Sequence, residues 1–406
     1  MNQTVRAVKI SDHVYWVGAM DWSIRDFHGY DTSRGTTYNA YLVTGKKNIL
    51  IDTVKRDYVD ELISRVQSVV PLEDIDYIIS NHAEPDHSGA LDIMIEKIKP
   101  EKIFASKMGV KALKEHFLWN VDVTPVEDGS EIILGDLTFR FYETRMLHWP
   151  DSMFSFLVED NLLFSQDAFG MHLASSERFI DQCDSSVVKY EAAKYFANIL
   201  LPYAPLISKL LEKMQKLGLD PSIVAPDHGP IWRGDSIADA VSMYTEWTQQ
   251  KMTRKVVVIY DTMWGATKKM AQSLADTFAE KGLYVKVLPL KGVHRSNVIT
   301  EIFDAGAVLI GSPTLNNNLF PTLADVLTYC KGLKPRNLIG AAFGSYGWSG
   351  EAVPQLKKIM EDMGIEFVGS CKAKYGPSEN DIQCCRDLAD DVYRVLIEKT
   401  STSESH

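Results

Sequence analysis

The chain has 406 residues, 45% hydrophobic and 24% charged, which excludes a disordered or fibrous protein and leaves material for two or three globular cores. Its formal net charge of -11 comes with no Lys/Arg stripe, so a nucleic-acid backbone is not an expected partner. The N-terminal MNQTVRAVKIS lacks the apolar core of a signal peptide, and no run approaches the roughly 18 apolar residues of a membrane span; a cytoplasmic protein with no membrane partner is expected.

Paired strand signals come early in the chain, in YNAYLV from Tyr38 and NILID from Asn48. A helix over 56–69, the strand IDYIIS, a helix over 89–97, the strand KIFAS and hairpin-like strands from 121 to 165 follow. This order fits mixed sheets covered by helices. An amphipathic helix over 235–250 and the polar stretch KMTRK precede the apolar strand VVVIY, which places a boundary near 252 and gives domains 1–252 and 253–406. Beyond it, VVVIY, VKVLPL, AGAVLIGS and LIGAAFGS alternate with helical patterns at 265–282, 295–304, 320–332 and 349–363, and a helix over 380–398 follows. That alternation predicts a doubly wound parallel sheet. The cysteines Cys183, Cys330, Cys371, Cys384 and Cys385 are odd in number and contain no C-x-x-C. They are expected to be reduced packing residues rather than a disulfide framework or a zinc knuckle. Disorder is expected only in the tail STSESH.

The chemistry concentrates at strand ends. IDYIIS is followed by Asn81 and then by His82, Glu84, Asp86 and His87, with Pro85 inside the run and Gly89 after it. Pro and Gly are expected to keep this loop irregular, so that His82 and Glu84 converge on one point while Asp86 and His87 turn toward another. His148, Asp167 and His228 each sit just past a further apolar strand. Any one of them alone reads as a hydrogen-bonded loop residue; seven potential ligands at successive strand ends read as one site for two metals. Four imidazoles with three carboxylates suit iron or manganese better than structural zinc, which takes four N or S ligands. Three carboxylates against two divalent ions leave one positive charge, which a bridging hydroxide neutralises. Asp167 is the natural bridging carboxylate.

The run His-x-Glu-x-Asp-His, followed by spaced His, Asp and His, resembles the metallo-β-lactamase-type domain of flavodiiron proteins. Hydrolytic relatives carry a second His where this chain has Glu84, and they bind zinc; a dizinc hydrolase fused to a flavodoxin domain is therefore the alternative reading. Supporting stretches are Asp21-Trp22 through Tyr30, Gly35 through Tyr41, Met146 through Ser152 and Pro226-Asp-His-Gly229. The resemblance spans the whole chain. It implies an N-terminal metallo-β-lactamase-like αββα sandwich followed by a flavodoxin-like doubly wound parallel sheet. It further implies that His82, Glu84 and His148 bind one iron, that Asp86, His87 and His228 bind the other, and that Asp167 bridges them with a hydroxide or oxo group. Family members often place two tyrosines in a helix near the metals, whereas this chain reads Lys194-Tyr195-Phe196, so one proton donor is missing or moved. His28, His172 and Tyr195 remain as candidates to support the ligands.

After VVVIYD the segment Thr262, Met263, Trp264, Gly265, Ala266, Thr267 leads into a helix and sets hydroxyls and backbone N–H groups at its N-terminus, a phosphate cradle. It has neither the ending of a P-loop nor a G-x-G-x-x-G run, so a monophosphate such as FMN fits best. Two more strand ends carry suitable loops: Ser312, Pro313, Thr314, Leu315, Asn316 and Asn317, then Gly344, Ser345, Tyr346, Gly347, Trp348, Ser349 and Gly350. Together they resemble flavodoxin, with Tyr346 or Trp348 flanking the flavin.

Flavin and diiron together imply redox chemistry, and the family resemblance implies reduction of dioxygen to water, of nitric oxide to nitrous oxide, or both. Compact domains of about 250 and 150 residues have centres about 40 Å apart, too far for useful tunnelling. The family's head-to-tail homodimer, alone or doubled into a dimer of dimers, sets the FMN of one subunit against the diiron site of the other. No rubredoxin or reductase module follows the flavodoxin-like part, so an external donor is expected, either rubredoxin or a reduced deazaflavin.

Overall fold

Short strands with apolar inner faces build the first half of the chain into two facing sheets. The computed structural model describes residues 5–117 and 121–403. A seven-stranded sheet runs Val8–Lys9, Val14–Trp16, Tyr41–Val43, Asn48–Ile51, Ile75–Ser80, Lys102–Ser106 and Thr124–Val126. A six-stranded sheet runs Glu131–Leu134, Leu137–Glu143, Met153–Leu157, Leu162–Gln166, Ile223–Pro226 and Trp232–Arg233. Both are mixed. Pairing turns parallel where a helix is interposed, as between Asn48–Ile51 and Ile75–Ser80 across the helix Val59–Gln67, and between Leu162–Gln166 and Ile223–Pro226. Trp16, Tyr41 and Phe104 from one sheet and Phe139, Phe141 and Phe164 from the other share a single buried core. The outer face of the seven-stranded sheet buries Leu62, Met94 and Leu113 from the helices Val59–Gln67, Leu91–Ile98 and Lys107–Phe117. The architecture is an αββα sandwich.

Five parallel strands form the sheet of the second half, in the order Tyr284–Pro289, Lys255–Tyr260, Ala307–Pro313, Ile339–Tyr346 and Glu366–Lys374. This is the doubly wound 2-1-3-4-5 winding, whose direction reverses between the strands Lys255–Tyr260 and Ala307–Pro313 and opens a crevice at their C-terminal ends. The three inner strands are buried almost end to end because helices cover both faces. Met270, Leu274 and Phe278 of the helix Ala266–Glu280, with Val392 and Leu396 of the helix Glu379–Ser403, close one side of that core. The chain divides into two compact units: the first comprises residues up to His28, 32–195 and 205–245, and the second 29–31, 196–204 and 246–406. Among the described residues no helix is long and apolar enough to cross a membrane.

Several elements depart from expectation. YNAYLV is two strands, since Thr36–Tyr38 pairs with Ala19–Asp21 while Tyr41–Val43 pairs with Val14–Trp16. The break falls at Asn39, whose backbone N–H leaves both ladders and donates to Asp227 O (2.8 Å). The edge strand Glu366–Lys374 was not anticipated because its residues alternate in exposure and present no continuous apolar run. The helices Lys107–Phe117, Ser185–Tyr195 and Ala204–Lys216 were likewise unforeseen. The tail is helical to Ser403, and its last three positions lie outside the described residues.

The cysteine expectation needs correction: Cys371 and Cys384 form a disulfide, while Cys183, Cys330 and Cys385 are free. The partners stand only 13 positions apart in sequence, but one lies in the edge strand and the other in the first turns of the next helix, a juxtaposition that spacing rules for extended chains do not show. Thiol titration of unfolded, unreduced protein is expected to count three reactive thiols. Cys384→Ser should raise that count to four and lower the unfolding stability of the flavin-type unit by about 3 kcal/mol, the worth of closing a loop of roughly this length.

Candidate metal centre and flavin cleft

The run after Ile75–Ser80 is more regular than its Pro and Gly implied. Pro85 occupies the first position of a helical turn, Pro85–Ser88, where its missing N–H is no loss. Asp86 and His87 therefore leave from a helix and not from an irregular loop. Ser88 Oγ donates to Ala83 O (2.7 Å) and Glu84 O (3.0 Å), and Thr53 donates from N and Oγ1 to His87 O (2.8 and 2.6 Å), which fastens the turn to the neighbouring strand end.

The seven residues converge. Ligand atoms of His82, Glu84, His148 and Asp167 lie within 4.8 Å of one another, as do those of Asp86, His87 and His228. Asp167 reaches both groups: its Oδ2 is 3.2 Å from His82 Nε2 and 3.1 Å from His148 Nε2, and its Oδ1 is 3.5 Å from His87 Nε2 and 3.6 Å from His228 Nε2. Glu84 Oε2 stands 3.0 Å from His148 Nε2 and 3.4 Å from His82 Nε2. Across the second group, Asp86 Oδ2 is 3.3 Å from His87 Nε2 and 3.2 Å from His228 Nε2.

These residues fit a pair of metal ions. His82 Nε2, both carboxylate oxygens of Asp86 and Asp167 Oδ2 are buried without a hydrogen-bond partner, and a buried unpaired carboxylate oxygen is costly unless a cation meets it. Burial pushes Asp167 and Glu84 upward, yet the imidazoles of His148 and His82 outweigh it and hold both carboxyls well below the usual range. Burial likewise opposes charge on the histidines, but the surrounding acids raise His82 well above its ordinary value and His148 to about 9. The pocket thus attracts positive charge at the point where the ligand atoms meet, and metal ions supply that charge while leaving the nitrogens unprotonated.

Further groups orient the ligands. Asp151 Oδ2 accepts from His82 Nδ1 (3.0 Å) and Ala83 N (2.6 Å), and Thr37 O accepts from His228 Nδ1 (2.6 Å), so in both rings Nε2 is turned to the site. Asp227 Oδ2 is 3.6 Å from His87 Nδ1. Asp151 and Asp227 went unnoticed as functional residues although each lies within three positions of a ligand; an acid so near a metal-binding His was the available signal. Tyr195 OH donates to Asp167 Oδ1 (2.9 Å), and its ring lies 5.1 Å from that of His172. His172 Nδ1 is 2.8 Å from Thr36 Oγ1, and burial, reinforced by His228, keeps its affinity for a proton well below normal. His28 stacks edge-on with Phe27 (4.6 Å), and Phe27 covers His172 (5.0 Å) and His228 (6.3 Å). Phe196 packs against Trp247 and Phe303 and offers no hydroxyl.

In the second unit a cleft of about 760 Å³ opens at the C-terminal strand ends. Met263, Trp264, Ala266, Pro313, Thr314, Leu315, Asn316, Asn317, Ser345, Tyr346, Gly347, Trp348 and Ser349 line it, joined by Lys269 and by Tyr375, Gly376 and Pro377 from a loop the sequence had not marked. Thr262, Gly265, Thr267, Ser312, Gly344 and Gly350 are not in the wall. They shape its loops: Thr262 Oγ1 accepts from Gly265 N (3.1 Å), Thr267 Oγ1 meets Ser345 Oγ (2.9 Å), and Ser312 Oγ accepts from Phe320 N (2.9 Å). Gly344 passes so close to the neighbouring strand that a Cβ would stand 2.3 Å from Ser312 O. FMN fits this cleft. The first turn of the helix Ala266–Glu280 supplies phosphate-binding N–H groups, and Trp264 and Trp348, 95% and 87% exposed, are flat apolar surfaces that a flavin ring would cover.

Residues 36–229 match the ODP family beta lactamase, and residues 258–387 match flavodoxin. The chain is 46% identical over 398 residues to the rubredoxin-oxygen oxidoreductase of Megalodesulfovibrio gigas, covering 97% of this chain and 98% of that protein. The chain belongs to the flavodiiron protein family. This flavodiiron protein is also 42% identical to the nitric oxide reductase of Moorella thermoacetica, over 94% of its own length and 96% of that relative. It superimposes on the crystal structure of the flavodiiron protein from Giardia intestinalis with a TM-score of 0.91 at 32% identity, over 98% of each chain. It is an oxidoreductase with FMN and a diiron pair as its cofactors.

Two variants probe these sites. Asp151→Asn, which weakens the acceptor behind His82, is expected to lower metal affinity by about 10–100-fold, read as earlier loss of iron to a chelator with unchanged FMN content. Gly344→Ala should displace the loop after Ser312 and raise the FMN dissociation constant at least about tenfold, or about 1.4 kcal/mol, measured by flavin fluorescence on titrating the apoprotein.

Proposed function

We propose that this flavodiiron protein reduces dioxygen to water, nitric oxide to nitrous oxide, or both, at a site in which His82, Glu84 and His148 hold one iron, Asp86, His87 and His228 hold the other, and Asp167 bridges them. The observation that carries the reading is the reach of Asp167 to both ligand groups, 3.1–3.6 Å from four imidazole nitrogens. When bound, the two irons supply binding positions and electrons for the gas, and FMN restores those electrons.

The chain's own residues do the rest. Asp151 and the Thr37 carbonyl keep the imidazoles of His82 and His228 aimed. Phe27 and Tyr38, whose rings lie 6.3 and 6.1 Å from that of His228, give the pocket an apolar flank that limits water. Both reductions consume protons, and the Tyr195 hydroxyl, held to Asp167, places a buried O–H beside the reacting centre. Burial and the neighbouring acids raise its pKa well above that of free tyrosine, so it stays protonated and serves as a donor of hydrogen bonds at neutral pH. Names of relatives support the substrates, since one is called an oxygen oxidoreductase and another a nitric oxide reductase.

The same reading assigns residues 1–252 to the diiron domain and 253–406 to the FMN domain. It makes the working form a head-to-tail homodimer, single or doubled, that brings one subunit's FMN to the other's irons, and it makes rubredoxin or a reduced deazaflavin the electron donor in the cytoplasm. The large exposure of Trp264 and Trp348 at the flavin cleft supports a covered rim.

Anaerobic reduction followed by addition of each gas tests the function. Expected are about two irons and one FMN per chain, with dioxygen or nitric oxide consumed over many turnovers under a chosen donor; zinc in both positions with no gas uptake would eliminate this reading. Sedimentation of the active enzyme should show a dimer or tetramer, and a fully active monomer would rule out the head-to-tail arrangement.

A further inference from the structure

His228 joins the site from the loop after the strand Ile223–Pro226, and that loop is held by the segment 37–41 on one side and by two backbone bonds on the other, Asp227 N to Gln166 O (2.9 Å) and Met171 N to His228 O (3.2 Å). Asn39 is the centre of the attachment and is fully buried. Its Nδ2 donates to Pro226 O (2.7 Å) and Gly229 O (2.9 Å), its backbone N donates to Asp227 O (2.8 Å), and its Oδ1 accepts from Trp16 Nε1 (2.8 Å). The carbonyls of three of the four residues in the turn Pro226–Gly229 therefore end on one asparagine. Gly229 has φ +80°, and a Cβ there would meet Met171 O at 2.7 Å, so the turn is tight on its other side as well.

The amide has one orientation that satisfies every contact, because the indole needs an acceptor and the two carbonyls need donors. Trp16 keeps that orientation. Its ring is fully buried and packs against two guanidinium groups, Arg178 at 3.9 Å and Arg65 at 4.6 Å from its centroid, contacts that hold the indole in place. Thr37, two residues earlier, accepts from His228 Nδ1 and from Gly229 N (2.7 Å). His228 Nε2 is thereby set 3.2 Å from both Asp86 Oδ2 and His87 Nε2.

We propose that Asn39 is a positioning residue for the Asp86, His87 and His228 metal position, its amide clamping the 226–229 turn so that the His228 ring meets the second iron. The inference rests on the diiron reading above. No bond from the Asn39 side chain goes to the strand end or turn that carries His82, Glu84, Asp86 and His87, so its loss acts on one metal position and spares the other.

The test compares wild type with Asn39→Asp, which keeps the shape but turns a carboxylate oxygen toward two carbonyl oxygens, and with Asn39→Ala. Each protein is loaded anaerobically with ferrous iron, dialysed against graded EDTA and analysed for iron, FMN and Mössbauer spectrum. Wild type is expected to keep about two coupled irons. At an EDTA concentration that leaves wild type intact, the Asn39 variants should keep about one, with the spectrum of an isolated ion, full FMN, and recovery of the second iron on adding excess ferrous salt; the second affinity should fall about 10–100-fold. Loss of both irons together, or retention of both, would overturn the clamp. Wild type that binds no iron pair would instead overturn the diiron reading. Should the Asn39 variants not fold, Trp16→Phe decides: it keeps an aromatic ring beside the guanidiniums and removes the N–H that orients the amide, together with the pyrrole part of the indole. It should release the second iron several-fold more readily than wild type, and an unchanged release rules the proposal out.

Discussion

Four imidazoles and three carboxylates meet in one buried pocket, and the arrangement of the first unit answers that constraint. Acids so close together repel one another and lose hydration, and only cationic charge placed among them makes the assembly favourable. Asp167 is where this is most acute, being buried and within 3.6 Å of four imidazole nitrogens. The ligands come from four separate segments, each at the end of a strand, so the two sheets must be packed in register for the pocket to exist. The shared core of Trp16, Tyr41, Phe139 and Phe164 between those sheets is in this sense the foundation of the site.

The rear faces of the ligands show how aim is kept. His82 leans on a carboxylate and His228 on a peptide carbonyl, so the two imidazoles differ in the basicity their partners impart. Glu84 adds to the asymmetry: with Asp167 it places a second carboxylate beside His82 and His148. Hard anionic donors favour the higher oxidation state of a transition metal, a preference of use to a redox centre and of none to a hydrolytic one.

The flavin-type unit solves a different problem. Its inner strands are buried on both faces, so chemistry is confined to loops at their C-terminal ends, where the winding reverses. There the chain combines a helix N-terminus with aromatic rings and with backbone approached closely at Gly344. The disulfide between Cys371 and Cys384 ties the edge strand to the following helix on either side of the Tyr375–Pro377 wall of the cleft.

Much of this was legible in the chain itself. Period and composition announced the parallel sheet, because its inner strands are unbroken apolar runs, and seven His, Asp and Glu side chains at strand ends pointed to a two-metal pocket because so many donors there have no cheaper explanation. What pattern could not convey was anything settled by partners distant in sequence. Pro85 looked like a breaker and is the start of a helical turn, since Thr53 and Ser88 hold it. YNAYLV looked like one strand and is two, since Asn39 is drawn to a turn almost 190 residues away. Asp151 comes behind His82, and Tyr375 reaches the cleft wall, only through the folded sheets. Local sequence determined which chemistries were present and in which elements; tertiary packing alone decided which groups stand behind the ligands, because those hydrogen bonds join segments whose proximity only the folded sheets create.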